Sequence, residues 1–354
     1  MPFKPLVEYT RGGIVESMHA GALAVVDAQG RLIASYGDPT LVTFLRSSAK
    51  PFQTLPLIES GAAEAFALTP REIALTCASH LGLDMHAETA ASIQARIGAS
   101  ERDLLCGTHA LTDPATVRQL ILAGQAPTPN RHNCSGKHSG MLVQARHRDL
   151  PLADYINPRH PVQQAILATF AEVVGLAPDQ VVVGIDGCSA PNFAVPLING
   201  ALAFARLADP SRLPPRRANA LRTIFYAMTA YPEMIRGPGG LDTELMRRRP
   251  GLLVAKGGAE GYQGLGIAAG ALRPGSPALG VALKIADGAA REQARAVAVL
   301  EVLRQLGLFD DADFDALAEF DFGPRLKLRN FRGLVVGEAR PVFKLDFSGG
   351  LNEQ

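Results

Sequence analysis

The chain has 354 residues, 47% of them hydrophobic, enough to bury a large core as one domain or two lobes. Lys and Arg number 35 against 34 Asp and Glu, and a net charge of +1 leaves no basic footprint for nucleic acid or an acidic membrane. Four cysteines, Cys77, Cys106, Cys134 and Cys188, are too few and too scattered for a disulfide framework. The N-terminus has no basic region leading into an apolar stretch, and no run approaches the ~18 apolar residues of a membrane span. A cytoplasmic protein is expected.

Residues 14–27, rich in Ala and Val, a Gln29-Gly30 turn and residues 31–36 predict a β-hairpin. A short apolar run at 41–45 leads into Arg46-Ser47-Ser48-Ala49-Lys50-Pro51, where Ser47 can cap a helix and Pro51 can occupy its first turn. Pro56 makes that helix short or kinked. Thr69-Pro70-Arg71-Glu72 has the spacing of a capping box and starts another. Helical periodicity continues over 87–97, 114–123, 161–174 and 217–231, broken by an apolar strand at 181–185 that ends on Asp186-Gly187. Strands follow at 251–255, 264–269, 279–285 and 333–338, with a helix over 288–306. Strands at both chain ends and helices between predict an α/β (α+β) architecture: one sheet built from 1–46 and 250–354, with a mainly helical lobe over 47–249, forming a single two-lobed domain.

Ser47 and Lys50 form the chain's one S-x-x-K. On a helix that spacing puts both on one face, where a partly desolvated amine can take the proton of a weakly nucleophilic serine. The helix start adds backbone N–H groups for an oxyanion and a dipole that disfavours a protonated lysine. Such a pattern also arises about once by chance in a chain of this length. Serine hydrolases that use it add a second serine in the helical lobe and a lysine on a late strand. Ser79, in Ala78-Ser79-His80 at a helix end, and Lys256, after the strand at 251–255, stand in that order.

Two further segments are dense in functional groups: Asn133-Cys134-Ser135-Gly136-Lys137-His138 and, after a strand, Gly184-Ile185-Asp186-Gly187-Cys188. Their thiols suit a shared metal, a nucleophile with His138 as base, or plain apolar burial. Spacing does not choose among these.

Taken together, Arg46-Ser47-x-x-Lys50-Pro51, Cys77-Ala78-Ser79-His80, the Asn133–His138 block, Gly184-x-Asp186-Gly187-Cys188 and Lys256-x-Gly258-Ala259-Glu260-Gly261 resemble the asparaginase II family, the Rhizobium etli-type or class 3 L-asparaginases. The resemblance runs from about Val7 to the C-terminus in unbroken motif order, and the block around Cys134 is its most specific part. It implies a serine β-lactamase or penicillin-binding-protein-like fold, a homodimer, and hydrolysis of L-asparagine to L-aspartate and ammonia. It implies two Ser-Lys pairs, Ser47 with Lys50 and Ser79 with Lys256. It also implies one zinc ion held by Cys134, Lys137, Cys188 and water, assisting substrate binding. Charge and position add Arg46 or His138 for the substrate carboxylate and Asp186 for its ammonium group. The chain departs from the family after His80, where Leu81-Gly82-Leu83-Asp84-Met85-His86 replaces small and polar residues and places two leucines beside the second serine. A glutaminase, another small-amide or β-lactam hydrolase, and a non-catalytic metal-dependent amino-acid-binding protein are the alternatives. A substrate panel and ammonia release separate them.

Overall fold

The strand Ile14–Asp27 is long enough to serve three neighbours. It pairs antiparallel with Lys4–Arg11, with Leu32–Tyr36 as the expected hairpin, and with Leu279–Ile285 in the register Val25 opposite Val281. The computed structural model describes residues 2–288 and 292–348. Among these the sheet has nine strands, its main path running Leu326–Arg329, Val335–Pro341, Lys4–Arg11, Ile14–Asp27, Leu279–Ile285, Tyr262–Ile267 and Leu253–Gly257. The two chain ends thus lie side by side, as the element order implies. The expected helix over 288–306 is seen as Glu292–Gln305, and residues 289–291 of that expectation lie outside the described residues.

Two compact units result, one drawn from Met1–Ser48, Val195–Asp209 and Ala255–Gln354, the other from Ala49–Ala194 and Pro210–Val254. In the first, the helix Leu197–Ala208 packs on Ile14–Asp27, Tyr262–Ile267 and Leu279–Ile285. The sequence order assigns this helix to the helical lobe, but the structure gives it to the sheet. Its close seat explains the strand glycines: a Cβ at Gly280 would stand 1.9 Å from the Ala201 carbonyl oxygen, and one at Gly264 would stand 1.9 Å from the Phe204 ring. The helix Glu292–Gln305 packs on Lys4–Arg11, Tyr262–Ile267 and Val335–Pro341. Tyr262–Ile267, packed against both helices, is buried along its whole length. Gly280→Ala is expected to destabilise the protein by about 1–3 kcal/mol, because helix backbone rather than a movable side chain blocks the new methyl. A lower urea midpoint at unchanged slope is the check.

The second unit is helical. Pro70–Thr76 carries the expected capping box, with Thr69 accepting from the Glu72 N–H and the Glu72 carboxylate accepting from the Thr69 N–H. Pro161–Val174 is found at the expected residues and ends on Gly175 in the left-handed region. Its central helix is Ser135–His147, in which Ser135 to Ala145 are all buried. A helix enclosed all round shows no amphipathic stripe, so periodicity does not reveal it. Gly136 lets it press on the helix Pro70–Thr76, since a Cβ there would lie 2.2 Å from the Leu75 carbonyl oxygen. Val182–Ile185 pairs antiparallel with Pro191–Pro196 across a turn that carries Asp186 and Cys188. Among the described residues no helix is long and apolar enough to cross a membrane.

Candidate active site

The first unit holds Arg46, Ser47 and Lys256. The expected helix start at Ser47 is a 3₁₀ turn, Arg46–Ala49, continued by the short helix Lys50–Gln53, and the chain kinks again before Pro56. Arg46 has φ +51°, a left-handed conformation that is strained for a side chain with a Cβ, immediately before Ser47. Its guanidinium pairs with Glu260 at 3.8 Å. Ser47 is partly exposed, whereas Ser48 is buried and donates to the Lys256 carbonyl at 2.6 Å. Lys256 lies within the strand Leu253–Gly257 rather than after it. Only 1% exposed, it donates to the Gly257 carbonyl at 2.7 Å. Gly258 admits the close pass of this strand end, because a Cβ there would meet the Leu45 carbonyl at 2.4 Å.

In the second unit Lys50 is also 1% exposed. Its Nζ donates to Ser79 Oγ at 2.9 Å, to the Ala78 carbonyl at 2.5 Å and to the Asn133 carbonyl at 3.3 Å. Three acceptors therefore surround the amine. Ser79 follows the helix Pro70–Thr76, and its backbone is tied from both sides: its N–H donates to the Ile235 carbonyl at 2.8 Å, and its own carbonyl accepts from Arg236 at 3.3 Å.

Asn133 leads directly into a second centre. Cys134 caps the central helix, Lys137 is one turn on, and Lys137 Nζ lies 2.9 Å from Cys188 Sγ. All three are buried. A hydrogen bond from Cys134, with Lys137 and His138 beside it, holds the Cys188 thiol far below its ordinary value. The same bond, and then burial, pushes Cys134 up. Burial pulls Lys137 down, but the Cys188 and Cys134 sulfurs outweigh it and keep the amine above its usual range. These opposed shifts favour a thiolate at Cys188 facing an ammonium at Lys137, with Cys134 alongside.

Among the described residues no three His, Cys, Asp or Glu side chains group to hold a metal, so a metal here needs the lysine as third donor. Two thiols and an amine suit a tetrahedral zinc with water fourth, provided Lys137 gives up its proton. His138 is wholly buried; its Nδ1 shares a 2.7 Å hydrogen bond with Tyr155, and its Nε2 has no partner of normal hydrogen-bond geometry, an orphaned atom on the Cys188 side of the cluster. The donor set fits zinc. His138 is enclosed rather than presented to solvent. Asp186 is partly exposed, accepts from the Gly187 N–H at 2.8 Å, and adds its charge to the field on Lys137.

A family model for L-asparaginase II matches residues 7–341, nearly the whole chain. The chain belongs to the L-asparaginase II family. None of the curated protein sequences compared with it matches. Among solved structures, a β-lactamase (Mb2281c) from Mycobacterium bovis is similar at 15% identity, over 85% of this chain and 94% of that one, with a TM-score of 0.41. A probable glutaminase from Bacillus subtilis is similar at 13% identity, over 81% of this chain and 88% of that one, with a TM-score of 0.39.

Motif reading assigns no role to the imidazoles of His80 and His86. His80 accepts from the Gly82 N–H at 3.1 Å, and its Nε2–H, so placed, donates to Ser135 Oγ at 2.9 Å. His86 stacks on it with centroids 4.7 Å apart, accepts from the Leu83 N–H and donates to the Glu233 carbonyl. The signal was present in position: four of the eight histidines, His80, His86, His132 and His138, lie within or close beside the quoted motifs, whereas nothing in the sequence points to His109.

Burial, the leading cause, pushes His86 down to about 4 from 6.5. A folded value below the unfolded one means that protons favour the unfolded chain. The stability this neutral histidine contributes is present above pH ~6.5 and is lost as pH falls toward ~4. Unfolding free energy is expected to drop by about 2 kcal/mol between pH ~7 and ~5 on this account. Urea titrations of wild type and His86→Gln check it, the variant giving the flatter profile.

Proposed function

We propose that the chain is an L-asparaginase acting by a Ser-Lys mechanism. The supporting observation is the buried Lys50–Ser79 hydrogen bond, in a chain of the L-asparaginase II family whose S-x-x-K joins Ser47 to the same lysine.

Ser47 Oγ attacks the side-chain amide carbon of asparagine and Lys50 takes its proton. Backbone N–H groups at the Arg46–Ala49 turn hold the oxyanion. Ser79, hydrogen-bonded to Lys50, passes a proton to the departing nitrogen, which leaves as ammonia. Lys256 is assigned to the second Ser-Lys pair on the family resemblance alone. Water then cleaves the aspartyl ester, and the proton it loses restores Ser47. Arg46 is assigned to the substrate carboxylate and Asp186 to its ammonium. His138, locked to Tyr155, serves from inside by fixing the thiol centre.

Zinc is held in this reading by Cys134, Lys137 and Cys188, and bound there it supplies local positive charge that favours substrate binding. Chelation is expected to raise KM about tenfold with a smaller change in kcat, and added zinc to reverse it. Zinc content measured alongside KM checks this.

Ammonia release from L-asparagine by wild type and Ser47→Ala, with L-glutamine alongside, tests the whole. Activity on asparagine that disappears in the variant supports the reading. An inactive wild type in the presence of zinc would end it, and a preference for glutamine would move it to a glutaminase.

A further inference from the structure

We infer that His109 is a positioning residue for the Lys50 centre, acting with His132 through the backbone of Asn133. The inference rests on the Ser-Lys reading above and adds a residue to it.

Asn133 supplies one of the three acceptors of Lys50 Nζ. Its carbonyl belongs to the same planar peptide unit as the Cys134 N–H, and in a trans peptide the two point in opposite directions. The Cys134 N–H donates to His132 Nδ1 at 3.0 Å, and this aims the carbonyl the other way, to Lys50. The preceding peptide is held too: the Asn133 N–H donates to His109 Nε2 at 2.9 Å. With the peptide on each side anchored, both soft dihedrals of Asn133 are set.

The His109 tautomer is set as well. Its Nδ1–H donates to the Ala110 carbonyl at 2.7 Å, leaving Nε2 as an acceptor. The His109 and His132 rings meet edge to face at 4.5 Å, which ties the two anchors together. His109 comes from a segment 24 residues before Asn133, so local chain geometry does not place it there. One residue beyond Asn133 stands Cys134, whose free thiol belongs to the Cys188 centre. The Asn133–Cys134 peptide is the mechanical link between the lysine–serine pair and the thiol centre.

Such an acceptor has a specific substitute. Gln places an oxygen near the Nε2 position and can accept the Asn133 N–H, whereas Leu fills similar space and cannot. His109 is partly exposed, so neither change empties a core site.

The test compares wild type, His109→Leu and His109→Gln by two readouts. One is kcat and KM for ammonia release from L-asparagine. The other is the rate at which a fluorophosphonate labels the active serine, followed by intact mass, which needs no assumption about the substrate. His109→Leu is expected to lower kcat and the labelling rate about tenfold with KM changed less than about twofold, and His109→Gln to recover most of both. Equal labelling in wild type and His109→Leu would overturn the inference. So would equal losses in the leucine and glutamine variants, since the acceptor would then not matter. A wild type that is labelled but inert to asparagine would fail the substrate assignment alone, and the labelling series would still decide His109.

Discussion

Lys50→Met is expected to lower the rate of ammonia release from L-asparagine by about three to four orders of magnitude, as loss of a general base does. The size follows from where the amine sits. Lys50 is the group that the S-x-x-K spacing ties to Ser47 and that hydrogen-bonds Ser79 directly. Both proton transfers of the proposed reaction pass through it, so Ser47→Ala is expected to lose as much, and Ser47→Ala with Lys50→Met to lose little more than either alone. Residues that act as one unit are not additive. The lysine change has a second consequence that the serine change lacks. Methionine offers no donors to the Ala78 and Asn133 carbonyls, and each buried acceptor left without a partner costs about 1–3 kcal/mol. Lys50→Met should therefore lower the urea midpoint as well as the rate, whereas Ser47→Ala should lower only the rate. A Lys50→Met protein retaining more than about a tenth of wild-type kcat would remove the lysine from the chemistry. Peptide mapping of a quenched reaction by mass spectrometry then shows which serine carries the aspartyl ester.

Local chemistry is what the sequence reveals well here. Thr69, Pro70 and Glu72 make their capping box from four consecutive residues, and the structure contains it. The hairpin at Gln29-Gly30 and the kink before Pro56 are likewise settled by neighbours in the chain. The central helix Ser135–His147 is different. Gly136 and Gly140 lower its helix propensity and make the segment look like a loop, yet packing against Leu75 and Thr76 is what requires them. Only the fold shows that reason. The same holds for Leu197–Ala208, which chain order places among helices and the glycines of the sheet draw onto the strands. At the site, one-turn spacing brings Ser47 and Lys50 to notice, but nothing local reports that Lys50 also reaches Ser79, 29 residues on. The thiol centre was legible as residue types through the family resemblance. Its state was not: the sulfur–ammonium pairing depends on the 2.9 Å approach of two segments 51 residues apart.

That pairing carries the second large effect. Cys188→Ser is expected to destabilise the metal-free protein by about 3 kcal/mol or more, far beyond the loss of one sulfur contact. Lys137 is buried, and the Cys188 sulfur is its hydrogen-bond partner and its largest source of opposite charge. A serine hydroxyl is shorter and stays neutral, so the ammonium would be left in the interior without its largest opposite charge. The penalty thus belongs to the stranded charge. Removing that charge should remove most of the penalty: Cys188→Ser with Lys137→Met is expected to be more stable than Cys188→Ser alone, although it carries one more substitution. Chemical denaturation of the four proteins in a chelator closes the double-mutant cycle, with a coupling of about 2 kcal/mol expected. A coupling near zero would mean that Cys188 is an ordinary buried thiol and that Lys137 finds its compensation elsewhere. Zinc distinguishes the same four proteins in another way. A ligand that binds only the folded state stabilises it by about 4 kcal/mol at a thousandfold excess over Kd. Zinc should therefore raise the wild-type midpoint and leave the double variant, which keeps only Cys134 of the three donors, almost unmoved.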